Sequence, residues 1–127
     1  MAFFDEGIYD PVTGLLSPLY FYESAARLIS WADRTQRHTA LISIRLGEMS
    51  DNHIAECATS MSAELRGGDL LARMSERSFV LLLLGDQLAG EQLVFRLQNT
   101  LHFELDFKVT ELANGEGVNQ ALERLDV

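Results

Sequence analysis

With a single cysteine, Cys57, the chain has no second thiol, so no disulfide within it can staple the fold. That thiol lies in an apolar stripe at helical spacing, which suits a packed side chain in a reducing compartment and not a metal ligand. Long apolar runs are missing as well: the longest, Phe79 to Leu84, falls far short of the ~20 residues a membrane-spanning helix needs, which argues against membrane insertion. Basic charge is scarce, with ten Lys and Arg against 19 Asp and Glu, for a formal net charge of -9. That excess repels phosphate backbones and argues against nucleic acid as a partner, while leaving room for a small anionic ligand in a local arginine pocket. The opening MAFFDEGIYD is acidic and short and lacks the basic-then-apolar pattern of a secretion leader, so the cytoplasm is the expected compartment. There is no linker, repeat or low-complexity tract. A chain of 127 residues, 47% hydrophobic and 23% charged, reads as one globular domain over 1–127, either whole or a piece of a longer multidomain protein.

What is there is a clear succession of periods. Ser17-Pro18 offers an N-cap and a proline at the first helical position, and Leu19, Tyr22, Ala26, Ile29 and Asp33 follow at helical spacing to about Arg37. TALISIRL, Thr39 to Leu46, reads as a buried strand. A second cap opens at Ser50, and Ile54, Cys57, Ala58, Met61 and Leu65 mark one helix face until Gly67-Gly68 ends it. Leu70 to Met74 and Phe79 to Leu84 flank the polar Ser75-Glu76-Arg77-Ser78, which predicts a hairpin with a four-residue loop. Leu93, Val94, Leu97 and Leu101 give a third helix. Phe103, Leu105, Phe107 and Val109 alternate as a half-buried strand, and Val118 to Leu125 form a last short helix. The pattern is the split βαβ arrangement of ferredoxin-like folds, an α+β class with helices on one face of a mostly antiparallel sheet and the first helix as an addition.

Among the polar residues, Asp51, Asn52 and His53 open a helix, where such a cluster caps the end and meets the dipole before it binds a metal. His38 and His102 stand alone at helix ends, with no ligand partner at useful spacing. No nucleophile elbow and no paired acid and base appear, so catalysis of that kind has no support. Arg66-Gly67-Gly68-Asp69 reads two ways. It can end a helix, with glycine as cap, arginine offsetting the dipole and the aspartate paired to the arginine; or its arginine and aspartate can hold a ligand.

The stretches YDPVTGLLSPLYFYE and LRGGDLLARMSERSFVLLLLG resemble the GGDEF domain, whose active members condense two GTP molecules into cyclic di-GMP. The first is similar to the family's opening Asp-x-Leu-Thr-Gly-Leu segment and the aromatic-rich helix after it. The second is similar to its Arg-x-x-Asp motif, hairpin and apolar strand in unbroken register. Five residues, Leu70 to Met74, separate Asp69 from the hairpin, as in the family, and Phe79 falls on the signature phenylalanine. The resemblance spans nearly the whole chain and implies a nucleotide-cyclase-like sheet with helices packed on its faces.

It also implies that the domain is degenerate and not an enzyme. Ser75, Glu76, Arg77 and Ser78 stand where the family has two glycines, a metal-binding acid and a catalytic acid, and Arg45-Leu46-Gly47 stands where it has Asp-x-Asp at the first strand end. The segment that contacts substrate in the family is shortened to GEMSDNH. The Arg-x-x-Asp motif, by contrast, is intact, which implies a receptor site for cyclic di-GMP at Arg66 and Asp69, with Arg96 added from the helix after the hairpin and no cofactor. A guanidinium can bridge guanine O6 and N7 or a phosphate, and a carboxylate can accept from N1–H and N2–H. Arg73, in the first hairpin strand, is expected to pair across strands. The alternative is a ligand-free module that docks another protein domain or a second copy.

Overall fold

The computed structural model describes residues 7–125; the acidic opening hexapeptide and residues 126 and 127 lie outside them. The order is α1 (Pro18–Arg34), β1 (Thr39–Leu46), α2 (Asp51–Ala63), β2 (Leu70–Ser75), β3 (Ser78–Leu84), α3 (Gln87–Thr100), β4 (Leu105–Glu111) and α4 (Val118–Arg124). The strands form one sheet in the order β2-β3-β1-β4, and every neighbouring pair is antiparallel. This is the α+β ferredoxin-like arrangement that the pattern predicts. Among the described residues no helix is long and apolar enough to cross a membrane.

Helices cover both faces of the sheet, not one. Strand periodicity sends Ile42, Ile44, Leu46, Phe79 and Leu81 to the face under α2 and α3, where they meet Ile54, Cys57, Met61, Leu93 and Leu97. The alternate residues Leu41, Val80 and Leu82 meet Phe21, Ala25 and Ile29 of α1 and Ala121 and Leu122 of α4. The first helix is thus half of a layer, not an appendage. Its buried stripe is Phe21, Ala25, Ile29 and Ala32, and of the stripe expected from spacing only Ile29 belongs to it: Leu19 is 64% exposed and Tyr22 37%. Two apolar stripes compete on this helix, and the sheet takes the one with a full i, i+4 series. The helix ends at Arg34, short of Arg37, because Gln36 adopts φ 58° and the Arg37 N–H turns back to the Ala32 carbonyl at 2.8 Å, closing a left-handed cap.

Other boundaries move for equally local reasons. Ser50 caps α2 by accepting the His53 N–H at 3.3 Å, with Asp51 in the first turn, which is the capping reading of that polar cluster. The helix stops at Ala63, four residues before Gly67. The hairpin strands run through Ser75 and Ser78, whose Oγ atoms lie 2.5 Å apart, so the turn is the two-residue Glu76-Arg77 and not a four-residue loop. Strand β4 begins at Leu105, two residues later than the alternation suggests. Arg124 ties α4 to β4 through Thr110 Oγ1 at 2.9 Å and forks onto Glu116, whose carboxyl it holds below the usual carboxylate range. That contact contributes above the unfolded carboxyl's pKa and fades as pH falls through the depressed one.

The opening segment is fastened by a buried ion pair. Asp10 Oδ2 accepts the Thr13 N–H at 2.9 Å and its hydroxyl at 2.8 Å, Gly14 takes φ 73°, and the resulting turn aims the carboxylate at Arg73 Nη1, 3.1 Å away. Both side chains are almost fully buried, at 3% and 4% exposure. Arg73 therefore reaches beyond the strand pair expected for it: it holds the opening segment against β2 and donates through Nη2 to the Glu76 carbonyl at 2.8 Å.

Two stability outcomes follow from this packing. Arg73→Ala or Asp10→Ala is expected to cost about 3–5 kcal/mol in urea unfolding, because each leaves a buried partner charge alone, whereas replacing both by apolar residues of similar volume recovers most of the loss. Cys57, fully buried and with its thiol pushed up to about 11 by burial and the Glu56 charge, should resist alkylation at pH 8 in the folded protein and react at once in denaturant.

Candidate functional site

Two regions bear the polar residues singled out by the sequence, and they lie at opposite ends of β2 and β3. At the hairpin end, β1 delivers Arg45 to the α1 and α4 side of the sheet, cross-strand from Ser78 on β3 and Asp106 on β4. A cleft of about 530 Å³ opens there, lined by Tyr22, Arg45, Met74, Ser75, Ser78, Asn119, Leu122 and Glu123. The turn beside it is well tied: Arg77 donates to Glu48 Oε2 at 3.1 Å, and its carbonyl accepts the Leu46 N–H at 2.7 Å.

A divalent cation does not fit this donor set. The side chain that β1 contributes is a guanidinium, the hairpin contributes two hydroxyls that face each other, the lining holds a single acid, Glu123, and Glu48 beside the turn is paired to Arg77. Among the described residues no group of three His, Cys, Asp or Glu side chains gathers as metal ligands. His38, expected to stand alone, pairs through Nδ1 with Glu111 Oε2 at 3.1 Å; the other oxygen of Glu111 accepts the first amide of α3 at 2.7 Å, so this histidine belongs to a bracket between strand and helix ends.

At the other end, Arg66 to Asp69 form a β-turn between α2 and β2. The Asp69 N–H donates to the Arg66 carbonyl at 3.1 Å, and Gly68 takes φ 96°, a conformation that favours glycine. Neither half of the helix-cap reading holds in its simple form: the cap residue of α2 is Glu64, and Asp69 does not pair with the Arg66 side chain. Its carboxylate accepts two backbone amides instead, Arg66 N–H on Oδ2 at 3.0 Å and Leu84 N–H on Oδ1 at 3.0 Å, and so locks the turn to the end of β3. The Arg66 side chain is exposed and makes no ion pair or hydrogen bond among the described residues.

Arg96 joins this end of the molecule. Its position on α3 puts Nε 3.0 Å from Glu64 Oε1, two residues before Arg66, with about half of the arginine side chain exposed. The three residues expected to act together thus sit on the turn and on the helix beside it. Glu64 was not legible as a member, because its partner lies 32 positions away and only the packing of α2 against α3 joins them. Asp10 had a local signal, the Asp-Pro-x-Thr-Gly turn, but nothing in the sequence points to its buried partner 63 residues on.

The sequence matches no family model and no curated relative. The fold, however, is that of GGDEF domains. The diguanylate cyclase SiaD of Pseudomonas aeruginosa, solved in complex with its activator SiaC, superimposes with a TM-score of 0.83 at 23% identity over 94% of this chain and 55% of that one. The present chain therefore spans about half of that protein's length. A microbial GGDEF domain solved with cyclic di-GMP gives 0.86 at 13% identity over 94% of this chain and 85% of that one. The GGDEF domain of DgcB from Caulobacter crescentus, in complex with c-di-GMP, gives 0.84 at 13% identity over 96% and 87%.

The roles of the two motif residues separate in stability measurements. Asp69→Ala should cost about 1–3 kcal/mol in chemical unfolding, because two backbone amides lose a charged acceptor, and Asp69→Asn should cost less, since its amide oxygen still serves one of them. Arg66→Ala should stay within about 0.5 kcal/mol of wild type.

Proposed function

We propose that this domain is a catalytically silent GGDEF-fold signalling module that binds cyclic di-GMP through Arg66, Asp69 and Arg96. The observation that carries the reading is Arg66: an exposed guanidinium without an intramolecular partner among the described residues, held on a locked turn beside a second half-exposed arginine. Two guanidinium groups on adjacent elements suit a ligand that carries two phosphodiester anions and two guanines with O6 and N7 acceptors. Asp69 holds the turn and keeps lone pairs for guanine donors. That two structurally similar GGDEF domains were solved with this ligand supports the choice of nucleotide.

The silence rests on the hairpin end. Phosphoryl transfer from GTP by this family depends on carboxylates that hold magnesium against the developing charge, and Arg45 and Arg77 put cations where those acids belong. A ligand-free docking module is the second reading. It is favoured by Leu88 and Phe95, 59% and 66% exposed and seven residues apart on the solvent side of α3, and by the activator complex of the similar cyclase.

Calorimetric titration with cyclic di-GMP is expected to give a saturable heat, with Arg66→Ala weakening binding by about 1–3 kcal/mol. Flat wild-type heats up to millimolar nucleotide, with an unshifted melting temperature, would leave the docking reading. Incubation with GTP and Mg²⁺ should yield no cyclic di-GMP; magnesium-dependent product would overturn the silent assignment.

A further inference from the structure

We infer that Glu64 is a built-in competitor for Arg96, an intramolecular carboxylate that the anionic ligand must displace, so that it sets the affinity of the site. The inference rests on the ligand reading above and adds to it a residue that no sequence motif marks. Glu64 Oε1 accepts from Arg96 Nε at 3.0 Å, and the carboxylate is the less exposed partner, at 28% against 48%. It occupies one edge of the guanidinium that a phosphate or a guanine O6/N7 pair would take.

The charge balance explains why this matters. Glu64, Arg66, Asp69 and Arg96 sum to zero, in a chain whose formal charge is -9, so a ligand with two anionic phosphodiesters meets no net attraction while Glu64 is charged. Asp69 cannot withdraw, because both its oxygens hold backbone amides. Glu64 can: among the described residues its side chain makes a hydrogen bond or ion pair to Arg96 alone, and a partly exposed pair of this kind holds weakly.

Helix stability offers no reason for an acid at this position. Glu64 is the C-cap residue of α2, whose last turn carries no basic side chain, and a carboxylate there lies at the negative end of the helix dipole. Its placement opposes the helix and is offset only by Arg96. Ligand binding exchanges that acceptor: Arg96 turns its N–H groups from the carboxylate to the ligand, and Glu64 is released to solvent.

The test is titration of cyclic di-GMP into wild type, Glu64→Gln, Arg96→Ala and the double variant, with thermal melts of each. Glu64→Gln is expected to bind about fivefold more tightly, the effect of removing one nearby like charge in a solvated site, without a lower melting temperature. The double variant should bind no better than Arg96→Ala, since the competitor acts through that arginine. Saturable wild-type binding that is unchanged or weakened in Glu64→Gln would overturn the inference and leave the ligand reading standing. So would a gain that survives in the double variant. Binding that appears only in Glu64→Gln supports it, and flat heats in both wild type and Glu64→Gln overturn the ligand reading and the inference together.

Discussion

The buried contact between Asp10 and Arg73 is the constraint on which the β2 edge of the sheet and the hairpin turn depend. Two charges taken out of water at this depth are tolerable only when each finds its partner and the surrounding hydrogen-bond groups are occupied. Here the carboxylate is shared among Arg73 and the Thr13 amide and hydroxyl, and the arginine reaches onward to the Glu76 carbonyl. The opening segment is thereby laid along β2, where Leu16 pairs with Ala72 and covers what would otherwise be an open sheet edge. The same arginine pins the hairpin turn, so the shape of the cleft at that end is tied to a residue on the far side of the chain.

From that frame the sheet's alternation distributes the chemistry. Even-numbered residues of β1 are consumed by the core under α2 and α3, and odd-numbered ones face α1 and α4 until Arg45 emerges at the strand end. A strand can deliver one side chain to each face at its last turn of pleat, and this one delivers a cation. The hairpin then adds hydroxyls and a guanidinium already paired to Glu48. The cleft, at about 530 Å³, is lined by one cation, Arg45, one acid, Glu123, and the two hairpin hydroxyls.

At the opposite end the division of labour lies within four residues. Asp69 spends its carboxylate on two backbone amides, which fixes the turn relative to β3, while Arg66 is left with its side chain in solvent. Rigidity and exposure are thus supplied by neighbouring residues. A preorganised arginine loses less freedom on binding than one on a mobile loop, and this is what a turn locked at both ends contributes.

Much of the fold was legible in the amino-acid sequence. The apolar runs at Thr39–Leu46 and Phe79–Leu84, the cap at Ser50, the apolar stripe through Cys57 and the spacing from Asp69 to the hairpin are local signals, and local sterics and hydrophobicity are enough to realise them. The Arg-x-x-Asp motif was legible too, as were the arginines at 45 and 77. What the sequence could not decide was which of two apolar stripes on α1 would face inward, that α1 and α4 would share one face of the sheet, or where Arg73, Asp69, Glu64 and His38 would find their partners. The distant partner of each lies between 15 and 73 residues away along the chain. Pairing over such separations carries no period or spacing in the sequence, because it depends on how helices and strands stack once the core excludes water, and only the tertiary structure determines that.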